Sequence, residues 1–149
     1  MVANRVDAAQ TAMSDRILRG IQTVMFSYDV SVWKSEDRLK EALVKIKSLQ
    51  GEAAELSAPH VHELVRLQET EAMLLAAELI LTASLARTES RLSHFREDYD
   101  FRDDINWLKW IDMKRGVHGI ELEETPIPTP ILAVEAVGTP TTVSRLVRA

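Results

Sequence analysis

The sequence predicts a mainly α-helical protein: a three-helix bundle with a long central helix, followed by a small β hairpin and an extended C-terminal arm. Two observations lead to this prediction. Through three successive stretches, apolar residues recur every three or four positions, which is the spacing of one face of an α-helix. After residue 107 that spacing gives way to loose alternation, glycines and closely spaced prolines, which is typical of short strands and extended chain.

The first helix is expected over about residues 7–28. Met13, Ile17 and Ile21 lie at spacings of four on one face of this stretch. Gly20 falls inside the same stretch, although glycine costs a helix up to about 1 kcal/mol relative to alanine. We therefore expect another helix to approach the first one closely at Gly20.

The second helix is expected over residues 35–50, after an extended connection at residues 30–34. Ser35 is a favourable N-cap residue, and Gly51 can end the helix by adopting the left-handed conformation. The apolar stripe of this helix consists of Leu39, Leu43, Ile46 and Leu49.

The third helix is expected over residues 59–90 because Pro59 suits the first helical position. Residues 72–86 are apolar nearly all round, which predicts the central and most buried helix of the bundle. This apolar run is shorter than the roughly 20 residues of a membrane span and contains Glu78, so we expect no direct membrane span.

A β hairpin is expected after the third helix. Residues 107–113 and 120–124 alternate between apolar and polar types, and residues 115–119 between them can form a turn. The prolines that follow cannot pair in the centre of a sheet, so an extended arm is expected after them. We place the helical bundle at residues 1–113, and the β extension with its arm at residues 114–149.

Composition excludes several classes of function for these 149 residues, which suit one domain. A net charge of −5 argues against non-specific nucleic-acid binding, which requires a basic surface. The absence of cysteine excludes thiol catalysis and cysteine-ligated metal centres in this sequence. The five glycines form neither a dinucleotide-binding fingerprint nor a phosphate loop. Because the N-terminus shows no apolar signal region, a cytoplasmic location is expected, with membrane contact only through partners.

The greatest density of charge lies in residues 89–110, with three arginines, six acidic residues and one histidine. Guanidinium groups match carboxylates, so these arginines could bind an anion such as a dicarboxylate. The acidic neighbours could instead pair with the arginines, which is the interpretation we favour. We therefore predict a structural or interface motif without catalytic, cofactor-binding or metal-binding residues, formed by Glu89, Ser90, Arg91, His94, Arg96, Asp98, Arg102, Asp103, Asp104 and Trp107.

Residues 89–107, called the motif segment below, carry a family resemblance. They resemble the run E-S-R-G-x-H-x-R-x-D-x-P-x-R-D-D-x-x-W of the C-terminal domain of the succinate dehydrogenase / fumarate reductase flavoprotein family, where this run follows a long helix. Residues 72–78 are also similar to its N-M-L-x-x-A-E stretch. The sequence departs from the pattern at Leu92, where the family has glycine, and at Asp100, where it usually has proline.

The resemblance implies a three-helix domain with a small β extension that packs against a flavin domain and lies near the electron-transfer partner. It places the flavin, the substrate and the proton-shuttling residues in preceding domains. We therefore expect an accessory or structural C-terminal component of a flavin-dependent oxidoreductase, which contacts the flavoprotein core and is not catalytic alone. FAD is expected in the partner or parent flavoprotein, and an iron–sulfur subunit is a further candidate partner.

Two alternatives stay open at this point. The first is a stand-alone helical oligomerisation or protein-interaction module without a redox role, for which a homo-oligomer is expected. The second is an independent enzyme that uses His94 as acid or base beside Arg91 and Arg96.

Overall fold

A computed structural model describes residues 3–58, 60–117, 119–128 and 141–142. The helices are α1 (Ala3–Met25), α2 (Tyr28–Ser31), α3 (Glu36–Ala54) and α4 (Val61–Ala86). A 3-10 turn at Glu97–Tyr99 precedes the strands β1 (Phe101–Arg102), β2 (Lys109–Gly116), β3 (Gly119–Pro126) and β4 (Thr141–Thr142). This architecture confirms the prediction of a mainly α protein with a small antiparallel hairpin.

Helices α1, α3 and α4 pack around one hydrophobic core. Its fully buried members include Ile17, Leu39, Ile46, Leu74 and Leu81. A Cβ atom added to Gly20 of α1 would lie 3.0 Å from both terminal methyl carbons of Leu49 on α3. The close helix approach predicted at Gly20 is therefore confirmed.

Several helix boundaries differ from the prediction because tertiary packing outweighs local preference. Helix α3 does not stop at Gly51 but continues through it, which places Ala53 in the core. The connection expected to be extended at residues 30–34 contains a helical turn instead, and Val30 of α2 is buried against the core.

Helix α4 is shorter than expected. It begins at Val61, after His60 in an extended conformation, and Pro59 lies outside the described residues. It ends at Ala86 because Arg87 turns away with φ −76° and ψ 112°. The chain that follows is free to fold back over the end of the helix.

Although residues 72–86 are apolar nearly all round, α4 is not buried on every side. One side, with Leu74, Ala77 and Leu81, faces the core. The opposite side is exposed, and we call it the outer α4 face; it consists of Ala72, Met73, Leu75, Ala76 and Ile80. The reason is geometric, since α1 and α3 cover only the inner side of α4.

Strands β2 and β3 form the predicted antiparallel hairpin, with Met113 opposite Leu122 and Gly116 opposite Gly119. The turn falls within the predicted residues 115–119. Gly119 has φ +131°, a value that side-chain-bearing residues rarely adopt. The proposed division at residue 113 stays a prediction, and β2 runs through it.

Most of the predicted C-terminal arm, residues 129–140 and 143–149, lies outside the described residues. Its two described residues form β4, which pairs antiparallel with β1 so that Phe101 lies opposite Thr142 and Arg102 opposite Thr141. Among the helices described here, none combines the length and the apolarity needed to cross a membrane.

Candidate functional site

Arg96 closes the C-terminal end of α4. Its side chain is 1% exposed, and its Nη1 donates hydrogen bonds to the carbonyl oxygens of Ser84 at 2.9 Å, Leu85 at 3.2 Å and Arg87 at 3.2 Å. The last carbonyls of a helix lack intrahelical partners and carry partial negative charge. The guanidinium group therefore supplies both the missing donors and a complementary charge.

The other edge of the same guanidinium group holds Asp98. Arg96 Nε and Nη2 donate to the two carboxylate oxygens of Asp98 at 2.8 and 2.7 Å. Asp98 Oδ2 also accepts from the backbone N–H of Glu36, the first residue of α3, at 2.9 Å. Arg96 and Asp98 together therefore connect the end of α4 to the start of α3.

Asp98 caps α3 in place of the predicted N-cap side chain. Ser35 occupies the N-cap position with an extended backbone, but its side chain makes no capping hydrogen bond. Burial alone would raise the pKa of Asp98, but the hydrogen bonds from Arg96 and from the Glu36 N–H hold it below its ordinary value. Asp98 is therefore ionised at neutral pH, which suits a helix N-terminus.

Glu89 is fully buried and is surrounded by donors. Its Oε1 accepts from Arg87 Nη1 at 2.7 Å and from Arg91 Nε at 2.8 Å. Its Oε2 accepts from Arg91 Nη2 at 3.1 Å and from the Asp103 N–H at 2.8 Å. This carboxylate thus joins the two ends of the motif segment.

Asp104 is the second buried carboxylate of the segment. Its Oδ1 accepts from Arg91 Nη2 at 2.6 Å and from Arg102 Nε at 2.8 Å. The hydrogen bond from Arg102 is the main cause that lowers the pKa of Asp104, and Arg91 adds to it against the opposing effect of burial. Two guanidinium groups therefore donate to one carboxylate oxygen of Asp104.

Ser90 and Trp107 complete the motif. Ser90 Oγ accepts from the Arg96 N–H and donates to the Tyr99 carbonyl oxygen, both at 2.8 Å. Trp107 is buried, and its Nε1 donates to Thr88 Oγ1 at 2.9 Å. The Trp107 ring also lies beneath two cations, Arg87 Cζ at 5.0 Å and Lys109 Nζ at 4.7 Å from its centroid, which adds a cation–π attraction.

Asp103 orders the loop that leads to Trp107. Its Oδ1 accepts from the backbone N–H groups of Ile105 at 3.1 Å and Asn106 at 3.0 Å, and its Oδ2 accepts from the Asn106 side chain at 2.8 Å. The hydrogen bonds from Asn106 lower the pKa of Asp103. The Asp103 side chain therefore fixes the backbone of the two residues Ile105 and Asn106.

The structural role of the motif stays a prediction, and the contacts of its arginines lie within the chain. The donors of Arg91 and Arg96 are directed at carboxylates and carbonyls of the same chain. Arg102, whose side chain is 49% exposed, is the motif arginine with the most surface available to another molecule. A dicarboxylate would have to displace existing ion pairs from the other two.

His94 does not fit an acid–base role near neutral pH. Its Nε2 is buried and has no hydrogen-bond partner. Burial, followed by the positive charges of Lys34 and Arg96, lowers the pKa of His94 to about 4, so the ring is neutral at pH 7. Across the described ranges, no group of three or more acidic or histidine side chains converges to hold a metal ion.

Two residues of the site, Arg87 and Lys34, were not predicted from the sequence. Arg87 bonds Glu89 and also donates to the carbonyl oxygens of Trp107 at 3.1 Å and Lys109 at 2.9 Å. Lys34 pairs with the segment through its backbone, since its carbonyl oxygen accepts from the Glu97 N–H at 2.7 Å. Arg87 lies two residues before Glu89 and could have been suspected, whereas no local signal marks Lys34.

Comparison with known proteins agrees with this fold. The family described as fumarate reductase flavoprotein C-terminal matches residues 19–137, and the chain belongs to this family. The fumarate reductase flavoprotein subunit of Helicobacter pylori is 32% identical over 108 residues, which cover 66% of this chain and 15% of that protein. The L-aspartate oxidase of Streptomyces coelicolor is 31% identical over 117 residues, which cover 71% of this chain and 20% of that protein.

Solved structures share the fold. Adenylylsulfate reductase from Archaeoglobus fulgidus superposes with a TM-score of 0.71 at 24% identity, over 78% of this chain and 19% of that chain. The E. coli quinol fumarate reductase superposes with a TM-score of 0.67 at 21% identity, over 87% of this chain and 25% of that chain. The chain thus corresponds to a quarter or less of each of these relatives.

Proposed function

We propose that this chain is an accessory, structural component of a flavin-dependent oxidoreductase, which contacts the flavoprotein core and does not turn over substrate alone. The outer α4 face is the observation that carries the proposal. Its five side chains are all apolar and exposed, and the exposed fractions of Leu75 and Ile80 are 42% and 54%. A contiguous apolar surface of this kind is typical of a protein-binding site.

The shape of this face suits a packed partner. Ala72 and Ala76 lie one turn apart and are small, so a partner can approach the helix backbone there. Met73, Leu75 and Ile80 lie beside them and can interdigitate with apolar side chains of the partner. Among the charged neighbours, Glu78 points elsewhere, since its Oε2 accepts from Gln50 on α3 at 2.7 Å, whereas Glu69 and Glu71 are exposed at the N-terminal edge of the face.

The flavoprotein core is the partner that the comparisons support. The same fold makes up 19% of the Archaeoglobus fulgidus chain and 25% of the E. coli chain, so these proteins carry it beside a much larger remainder. We propose that the corresponding remainder covers the outer α4 face of this protein. An iron–sulfur subunit stays a further candidate partner.

FAD belongs in that core under this proposal, because the described residues do not fit it. The common dinucleotide-binding fold holds the phosphates at a glycine-rich turn between a strand and a helix. Gly20 and Gly51 lie inside helices, and Gly116 and Gly119 lie at the hairpin turn. These four glycines provide no such turn.

Purification of the tagged chain from its own cells tests the proposal. We expect a larger protein to co-purify and the eluate to show the visible absorption bands of a flavin. We also expect the separated chain to be colourless and unable to reduce fumarate. Flavin bound tightly to the separated chain, or turnover by it, would contradict the proposal.

A second candidate function is self-association without a redox role, because a second copy of the chain could cover the same apolar face. A colourless eluate that contains only this chain and sediments as a homo-oligomer would favour this second function and count against the first.

A further inference from the structure

In the turn at residues 91–94, Leu92 has an unusual backbone conformation and an exposed side chain. Arg91 and His94 close the turn with two backbone hydrogen bonds, Arg91 N–H to His94 O at 2.8 Å and His94 N–H to Arg91 O at 2.9 Å. Within the described ranges, Leu92 is the one non-glycine residue with a positive φ, at 53°. In this left-handed region the Cβ atom crowds the backbone, so glycine is favoured.

The side chain of Leu92 adds no packing energy to the isolated chain that could offset this strain, because it is 99% exposed. A glycine at this position would remove both the backbone strain and the exposed apolar surface. Strained residues persist where the surrounding structure holds them and where they serve a function. Leu92 is therefore a candidate for a contact that this chain makes with another molecule.

The base of the turn is held rigidly. Arg91 is fixed on one side by Glu89, at 2.8 Å from Nε to Oε1, and on the other by Asp104, at 2.6 Å from Nη2 to Oδ1. A leucine on a fixed turn loses little conformational freedom when it is buried by a partner, which favours binding. A few buried anchor residues supply most of the energy of many protein interfaces.

The surroundings of the turn indicate the chemistry of the partner. Ile105 directly follows Asp104 in the sequence and is 64% exposed. Arg102 bonds the same Asp104 oxygen at 2.8 Å, and its side chain is 49% exposed. The exposed side chains of Leu92, Ile105 and Arg102 thus belong to chain segments that are tied to Asp104. Two apolar side chains and one cation fit a partner whose apolar pocket has a carboxylate at its rim.

We propose that Leu92 is an anchor residue that inserts into an apolar pocket of the flavoprotein core, with Arg102 pairing with an acidic residue at the edge of that pocket. The inference rests on the proposed function, because it names the same core as the partner. It adds that this turn, which lies beyond the end of α4, forms a second contact in addition to the outer α4 face.

Two substitutions of Leu92 separate the backbone from the side chain. Leu92→Ala keeps a side chain in the left-handed region and removes the anchor, whereas Leu92→Gly removes the anchor and relieves the strain. We expect Leu92→Gly to raise the melting temperature of the separated chain by roughly 2–4 °C. We expect Leu92→Ala to leave it nearly unchanged.

The binding readout uses the flavin-containing protein that co-purifies with the unaltered chain. Loss of one buried leucine should weaken association roughly 10- to 100-fold in both variants. Val117→Ala is the matched control, since Val117 is 91% exposed in the hairpin turn, and it should leave the affinity unchanged. Arg102→Ala should weaken association more at low salt than at high salt.

The outcomes distinguish this inference from the proposed function. If the core binds the unaltered chain and both Leu92 variants equally well, the anchor role is wrong and the proposed function stands. If Val117→Ala weakens binding as much as Leu92→Ala, the specific role of Leu92 is also wrong. If no flavoprotein binds the unaltered chain, both proposals are overturned.

Discussion

Replacement of Arg96 by alanine should cost this fold about 4 kcal/mol of its free energy of unfolding. Arg96 bonds three carbonyl oxygens at the end of α4 and both oxygens of Asp98. A hydrogen bond made by a charged group contributes about 1.5–3 kcal/mol, and the bonds from Arg96 Nη1 to the three carbonyls share one nitrogen, so their combined loss is set at about 4 kcal/mol. Water can replace Arg96 at Asp98, whose side chain is 29% exposed, so the sum of all five bonds would be an overestimate.

This loss is large compared with the total stability of a domain, which is about 5–15 kcal/mol. For a chain of this size it corresponds to a fall of about 8–16 °C in the melting temperature. Urea unfolding followed by helical circular dichroism measures the change. Arg96→Lys keeps the charge but lacks the planar fork, so it should recover only part of the stability.

Arg16→Ala is the matched control for this substitution. It removes the same side chain from α1, where Arg16 is 55% exposed and pairs with Glu52. Exposed ion pairs contribute about 0–1 kcal/mol, so this variant should unfold close to the unaltered protein. If Arg96→Ala cost no more than Arg16→Ala, Arg96 would not cap α4 and the structural interpretation of the motif segment would fail.

Two further predictions concern stability. Gly51→Ala should stabilise the chain by about 0.5–1 kcal/mol in urea unfolding, because Gly51 lies inside α3 and an added Cβ meets no atom within 4 Å; a loss of stability would contradict this account. The pKa of His94 is lowered from 6.5 to about 4 in the folded state. Between these values the unfolded state binds a proton that the folded state does not, so the free energy of unfolding should fall as the pH drops from 6.5 towards 4. His94→Gln should flatten the dependence of the urea midpoint on pH over that interval, and an unchanged slope would show that other groups cause it.

The helices and the hairpin were predictable because their signals are local. The spacing of Ile17 and Ile21 reports a buried helix face, and the alternation on both sides of residues 115–119 reports a hairpin. The end of α3 was not predictable in this way, because burial of Ala53 depends on helices that lie elsewhere in the chain. Gly51 carries a valid local stop signal that tertiary packing overrides.

The candidate site was also predictable only as far as its signals are local. The residues of the motif segment could be chosen from their density of charge and from the family resemblance. Their roles could not be predicted, because Arg96 donates to the carbonyl oxygens of residues 84, 85 and 87, and Asp98 accepts from the N–H of Glu36. These partners are set by how the chain folds back over α4. The exposure of Ala76 was missed for a related reason, since an all-apolar helix does not reveal how many neighbours it has.

Contact between the outer α4 face and the flavoprotein core is the central claim, and a charge placed on that face tests it most directly. Ala76→Arg puts a charge on an exposed helical position without disturbing the core, and Val44→Arg does the same on α3, where Val44 is 68% exposed. The measurement is the amount of flavin that co-purifies with each tagged variant from the native cells. We predict that Ala76→Arg loses the flavin and Val44→Arg retains it; equal flavin in both eluates would contradict the claim.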